Sequence, residues 1–324
     1  MGLEQQRDRF EAGDGLAYAD PDYARAMGEF GEPIALPASG GWLLAREVPG
    51  GKGARDLTAA YPLFDCRDWS GLEADLARLR AERAGASVVL VAEPLGAPDG
   101  ELLARLFPDC ARPFKRHFLV DLSRDPELQR SAHHEKSLRR AERFADFERI
   151  APAEGLDEWC ALYGELAARF GLTGPSAFSH VAFARHFALD GLSVYRASEN
   201  GRTTGMSLWL RRGERCWYHL AATDDAGRRH EASYGLVALA LGDHATRGCT
   251  VADLGGGAGL DDDESSGLAA FKAGWGEERC EAWLCGAVLD PDLYERLCAE
   301  RWITPEGTDF FPDYRAPAAV GSKS

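Results

Sequence analysis

Leu192 to Ala222 reads LSVYRASENGRTTGMSLWLRRGERCWYHLAA. Three runs rich in Val, Tyr, Trp and Leu are separated by Asn200-Gly201 and Arg212-Gly213. Asn-Gly readily takes the left-handed conformations of a tight hairpin turn, so the stretch predicts an antiparallel three-stranded meander. On either side the period changes. GLDEWCALYGELAARFGL (155–172) and AFSHVAFARHFAL (177–189) before it have helical spacing, as does EASYGLVALALGDHATRG (231–248) after it. CTVADL (249–254) then reads as a strand, SSGLAAFKAGW (265–275) as a helix capped by Ser265 or Ser266, CEAWLCGAVL (280–289) as a strand and DPDLYERLCAERW (290–302) as a helix. The N-terminal half repeats this style more weakly. Leu72, Leu76 and Leu79 mark a helix, SVVLVAEP (87–94) a buried strand, DGELLARLFPDC (99–110) a helix and HFLVDLS (117–123) a strand. Ser123 and Asp125-Pro126 then start another helix. The expected architecture is α/β (α+β), with two related domains, 1–150 and 151–309. The tail, 310–324, is expected to pack back on the first.

A chain of 324 residues suits two domains of about 100–200 residues each. Apolar residues make up 45% of it, enough for real cores, and no apolar run is long enough to span a bilayer. The polar start MGLEQQRDRFEAGDG (1–15) does not read as a signal peptide, which gives the expectation of a cytoplasmic, monomeric protein. Eight scattered cysteines without a Cys-x-x-Cys pair read as buried thiols, and His133, His134 and His219 have no evident ligand companions, so no metal is expected. The net charge of −15 argues against broad nucleic-acid binding. Even so, Arg130 to Phe144 carries five Arg/Lys against two Glu, which suits either one localised anionic ligand or a solvated helix face.

VADLGGGAG (251–259) invites a cofactor reading. A strand ending in such glycines resembles the S-adenosylmethionine loop of methyltransferases. That loop follows the first strand of a doubly wound sheet, and only about 65 residues remain here. A dinucleotide fingerprint also fails, because the third glycine would fall on Leu260 or Asp262. Asp261, Asp262, Asp263 and Glu264 would repel a phosphate at the next helix. The remaining reading is a turn with an acidic cap.

Four stretches, in order, resemble the FemABX family of aminoacyl-tRNA-dependent peptidyl transferases. They are YPLFDCRDWSGLEADLARLRAERAGASVVLVAEP (61–94), VDLSRDPELQRSAHHEKSLRRAERF (120–144), YHLAATDDAGRRHEASYGLVALALGDHATRGCTVADLGG (218–256) and GLAAFKAGWG (267–276). Together they span most of the chain. The resemblance implies two tandem GNAT-like (acetyltransferase-like) domains with mixed central sheets. It also implies transfer of an aminoacyl group from charged tRNA to an amine, with aminoacyl-tRNA as co-substrate and no other cofactor. Two departures stand out. The family's helical arm is absent, and Tyr61-Pro62-Leu63-Phe64 replaces its Gly-Pro before Asp65. That region borders the acceptor pocket in the family. A small peptide or amino sugar, as in antibiotic biosynthesis, is therefore expected over a peptidoglycan precursor.

The resemblance also assigns roles. Lys272, beside Phe271, matches the family's Phe-Lys pair and would stabilise an oxyanion or hold the terminal nucleotide; otherwise it is a surface lysine. Asp65 would take the amine proton or orient the acceptor, or else simply serve the start of a helix. Tyr218, Ser233 and Tyr234 match pocket-lining positions. Arg139 and Arg140 would meet phosphate, and Trp217 and Trp275 would stack a base unless they are core. An acyl-CoA N-acyltransferase is the alternative. It is disfavoured because DDAGRRHEAS (224–233) has its arginines after its single glycine, Gly227.

Overall fold

A computed structural model describes residues 17–257, 266–301 and 310–316. In chain order the strands are β1 Glu32–Leu36, β2 Gly41–Glu47, β3 Arg55–Thr58, β4 Ser87–Val91, β5 Cys110–Asp121, β6 Asp146–Ile150, β7 Ser193–Glu199, β8 Arg202–Arg212, β9 Arg215–Thr223, β10 Val251–Asp253 and β11 Glu278–Val288. The α-helices are α1 Pro21–Ala26, α2 Leu72–Ala81, α3 Gly100–Leu106, α4 Ala132–Ala141, α5 Pro152–Phe170, α6 His180–His186, α7 Asp225–Arg229, α8 Ala232–Thr246, α9 Gly267–Ala273 and α10 Pro291–Glu300.

Two compact units result, and neither is a continuous half of the chain. One comprises residues 1–26 and 114–282, the other 27–113 and 283–324. The expected boundary near Ile150 falls inside the first. There β6, which carries Ile150, pairs with β7 across the register Ile150–Val194, so cutting at 150 would strip the meander of its edge strand.

The second unit is built on β1 to β4. Antiparallel β1–β2–β3 is joined by parallel β3–β4, and β11 closes against β4 with Leu284 opposite Val91. Helix α2 buries Leu72, Leu76 and Leu79 against Leu43, Leu57, Val88 and Leu90, the stripe its spacing predicts. Strands β1, β2 and β3 have no counterpart among the elements expected from the sequence, being short and bounded by tight turns. Near the chain end Tyr314 is fully buried, and its hydroxyl donates to Asp56 Oδ2 at 3.0 Å.

The first unit carries the meander. Its strands run β5–β10–β9–β8–β7–β6, with β10 antiparallel to β5 and parallel to β9. The expected turns form where glycine allows them: Asn200 and Gly201 have φ of 52° and 77°, and Gly213 has φ of 57°. Helix α8 lays Leu236, Val237, Ala240 and Leu241 on a core that includes Tyr195, Trp209 and Trp275. Gly235 lets it approach closely, since a Cβ there would meet the Phe147 ring at 2.2 Å. Ser266 caps α9, its Oγ accepting from Ala269 N at 3.2 Å. The alternative cap, Ser265, and the acidic run 261–264 lie outside the described residues. The glycine loop follows a three-residue strand flanked by β5 and β9, not the first strand of a doubly wound sheet, so the methyltransferase reading has no structural basis. Among the described residues no helix is long and apolar enough to cross a membrane.

Candidate functional site

The glycine loop and the lysine, rivals in the sequence, meet in one place. Strand β10 ends at Asp253, and the chain turns through Leu254 to Gly255, whose φ is +75°. Lys272, in the last turn of α9, reaches back, and its Nζ donates to the carbonyl of Gly256 at 2.6 Å. The lysine is only 7% exposed, so it is not the snorkelling surface residue of the bland reading. Burial lowers its pKa to about 8, with Asp253 pulling it up and Lys115 pushing it down. A side chain at Gly255 would sit 3.2 Å from the ammonium, which explains glycine there a second time.

Asp253 is the anionic centre of the loop. One carboxylate oxygen accepts from Gly255 N at 2.6 Å, holding the turn. The other lies 2.8 Å from Nδ1 of His117 on β5. An ionised carboxylate only accepts, so Nδ1 carries the proton and Nε2 is left as the basic nitrogen. Lys115 precedes His117 by two residues on the same strand, and both are buried. Side chains two apart on a strand share a face, which brings a second ammonium close enough to act on Lys272.

A ring cluster supports α9 from the other side. His134 on α4 lies with Nε2 2.6 Å from the Phe271 carbonyl and Nδ1 2.9 Å from Ser131 Oγ. Its ring is 4.9 Å from that of Tyr234, 5.9 Å from Phe271 and 5.0 Å from Trp275. Gly274 admits this ring, since a Cβ there would come within 2.0 Å of it.

Phe271, Lys272 and Tyr234 are thus gathered around α9, and Ser233 is half-buried in the first turn of α8. Tyr218 packs its ring 5.1 Å from Trp209, and burial raises its hydroxyl pKa. Trp217 is a correction: 1% exposed and set edge-on to Tyr18, it offers no face to a base. Trp275, fully buried, is likewise core. Arg139 is exposed but pairs with Glu135 at 2.9 Å, while Arg140 donates to the Arg229 carbonyl at 3.2 Å. Asp65 belongs to the other unit, where it is 2% exposed and accepts from Cys66 N at 2.8 Å. Lys115, His117 and Asp253 are candidate site residues that the sequence analysis does not single out. The Lys-x-His alternation in a strand and the aspartate closing a strand before glycines were the available signals.

A family model described as an acetyltransferase (GNAT) domain matches residues 129–273. No curated protein matches the chain. Among solved structures, FemX is 16% identical, with 91% of this chain and 98% of that one covered and a TM-score of 0.61. The C-terminal domain of a putative lysylphosphatidylglycerol synthetase from Agrobacterium fabrum is 17% identical, covering 90% and 93% at a TM-score of 0.61. L-PGS from Bacillus licheniformis is 16% identical, covering 87% and 98% at 0.55. The fold is therefore mixed α/β and GNAT-like, an acyltransferase fold with FemX-type neighbours.

Proposed function

We propose that the protein transfers an aminoacyl group from the 3′ end of a charged tRNA to the amine of a small acceptor, forming an amide. The observation that carries this reading is the buried Lys272 ammonium held on the Gly256 carbonyl beside the Asp253–His117 pair. An aminoacyl ester is already activated. What it needs is an amine free of its proton, charge placed where the carbonyl oxygen becomes negative, and correct alignment. In this reading the acceptor nitrogen attacks the ester carbon and loses its proton to His117 Nε2. Lys272 faces the oxyanion. The C–O bond to the ribose then breaks, and the leaving 3′ oxygen recovers the proton from His117. Asp253 keeps the imidazole in one tautomer and balances the imidazolium when it forms. Asp65 remains the alternative proton acceptor, and Tyr234 and Phe271 line the same end of α9. The names of FemX and of the lysylphosphatidylglycerol synthetases are in keeping with aminoacyl chemistry on this fold. A role in natural-product assembly in the cytoplasm completes this reading.

A second reading, acyl transfer from coenzyme A, is favoured by the acetyltransferase domain match. Against it stands the segment where a pyrophosphate loop is expected. There Asp224 accepts from Gly227 N at 2.8 Å, Arg228 donates to the Thr223 carbonyl at 2.7 Å, and Glu231 puts a carboxylate at the start of α8. Incubation with tRNA carrying labelled amino acids and a panel of amines separates the two. Transfer abolished by ribonuclease supports the tRNA reading; transfer from acyl-CoA that survives ribonuclease overturns it.

A further inference from the structure

The first unit gathers a set of soft side chains that the transfer chemistry does not use. Cys216 is the second residue of β9, His244 lies in the last turn of α8, and Cys249 stands in the loop entering β10. Their ligand atoms all lie within 4.8 Å of one another. Local structure enforces the convergence. Gly248, at φ +85°, reverses the chain at the end of α8, and Cys249 N donates to the His244 carbonyl at 3.0 Å. This returns the Cys249 thiol to the helix it has just left, with Sγ 3.8 Å from His244 Nδ1. The parallel register sets Ala252 beside Cys216, and Cys216 Sγ lies 3.7 Å from the Val251 carbonyl.

We propose that Cys216, His244 and Cys249 bind a single thiophilic metal ion, zinc(II) in the first instance. Bond lengths of about 2.3 Å to sulfur and about 2.0 Å to nitrogen require ligand atoms separated by roughly 3.5–3.8 Å in a tetrahedral site, a small contraction from the observed limit of 4.8 Å. All three residues are buried, at 0%, 0% and 3% exposure. Two thiolates and a dication leave the site neutral, which suits a dry interior better than a lone thiolate does. The Cys249 thiol is the only hydrogen-bond partner of the His244 ring among the described residues, and the His244 Nε2 is buried without one. No fourth side chain joins the cluster among the described residues, which leaves one position for water, as in other two-cysteine, one-histidine zinc sites.

The test uses the full chain, reduced and freed of metal, with cobalt(II) as the spectroscopic stand-in for zinc(II). One cobalt per chain with thiolate charge-transfer bands is expected, displaced by zinc(II) and accompanied by a rise in Tm. Cys216→Ser, Cys249→Ser and His244→Gln should each weaken uptake at least tenfold, while Cys285→Ser, which is not one of the three ligands, retains it. Should the site variants fail to fold, alkylation of the native wild type provides the second readout. Zinc(II) should slow modification of Cys216 and Cys249 at least tenfold and leave Cys285 unchanged. A folded, reduced wild type that takes up no cobalt overturns the proposal. So does uptake that persists in the Cys216→Ser, Cys249→Ser double variant. Isolation of a Cys216–Cys249 disulfide whose reduced form takes up no cobalt overturns it as well.

Discussion

The Lys272 ammonium donates to the Gly256 carbonyl at 2.6 Å, so the helix lysine and the glycine loop are parts of one structure. Moving the pKa from 10.5 to about 8 means that burying the charge costs about 3 kcal/mol at neutral pH. A buried ammonium kept at net expense marks a candidate functional group. Lys272→Met should therefore lower kcat more than tenfold while raising Tm by a few degrees, read by single-turnover kinetics and calorimetry. A variant that keeps full activity removes the lysine from the mechanism.

The same burial sets a pH limit. With the pKa near 8, the ammonium is present at pH 7 and lost as pH rises past about 8. The rate should fall on that limb, although acceptor amines become more nucleophilic there. Lys272→Arg keeps its charge at every accessible pH, so its profile should lack the fall near 8 whatever its absolute rate. Stability moves in the opposite direction. Between about pH 8 and 10.5 the unfolded lysine holds a proton that the folded one has lost, so the wild type gains stability there and Lys272→Met does not.

His117→Gln removes the basic nitrogen but keeps a polar side chain near Asp253. General-base catalysis contributes about 10²–10⁴-fold, so kcat should drop by at least a hundredfold with KM little changed. Asp253→Asn should lose as much, because it releases the imidazole tautomer, and Gly255 N also loses its charged acceptor. Asp65→Asn discriminates between the two bases. If its loss exceeds that of His117→Gln, the proton goes to Asp65 instead.

Gly255→Ala tests the loop directly. The φ of +75° costs an L-residue about 1–2 kcal/mol, and the new Cβ would sit 3.2 Å from the Lys272 ammonium. Tm should fall by about 2–8 °C, at about 2–4 °C per kcal/mol, and activity should fall with it through the displaced lysine. Gly267→Ala is the control. It adds its methyl in open space, and both quantities should hold.

The meander was legible because its information is local: Asn200-Gly201 sets a turn, and the apolar runs beside it set the strands. Helix α2 was legible for a similar reason, since Leu72, Leu76 and Leu79 repeat at helical spacing. Strands β1, β2 and β3 were not, because short strands between tight turns leave few alternations to read. Nor was the division into units, which depends on where β6 and β11 find partners far along the chain. Lys272 is a candidate through a family resemblance, and its burial adds a physical reason to examine it. His117 and Asp253 stand 136 positions apart and meet only because β10 lies beside β5. Sequence spacing carries no trace of such a pairing. The same holds for Cys216 and His244, which read singly as an ordinary buried thiol and an ordinary helical histidine.

His219 gives the last prediction. Its ring is buried, with Nδ1 3.4 Å from the Tyr18 hydroxyl and Nε2 without a hydrogen-bond partner among the described residues. Burial lowers its pKa well below the ordinary value, and His186, stacked at 5.9 Å, lowers it further. Burial lowers His134 and His244 as well. On unfolding, each of these rings regains a pKa of about 6.5, so below that pH the unfolded chain binds protons that the folded chain refuses. Stability should therefore be fully present above about pH 7 and fall on acidification, by up to about 1.4 kcal/mol per pH unit for each ring. Asp20 opposes this only below about pH 6, the value to which burial raises its carboxyl, because there the folded state takes up the proton first. Urea midpoints at pH 7.5, 6.5 and 5.5 should thus decline steadily. His219→Gln removes one proton-refusing ring and should flatten the decline even if the variant is less stable at pH 7.5. An unchanged slope would mean that His219 keeps its ordinary proton affinity in the fold, and that the cavity around it admits the water its burial denies.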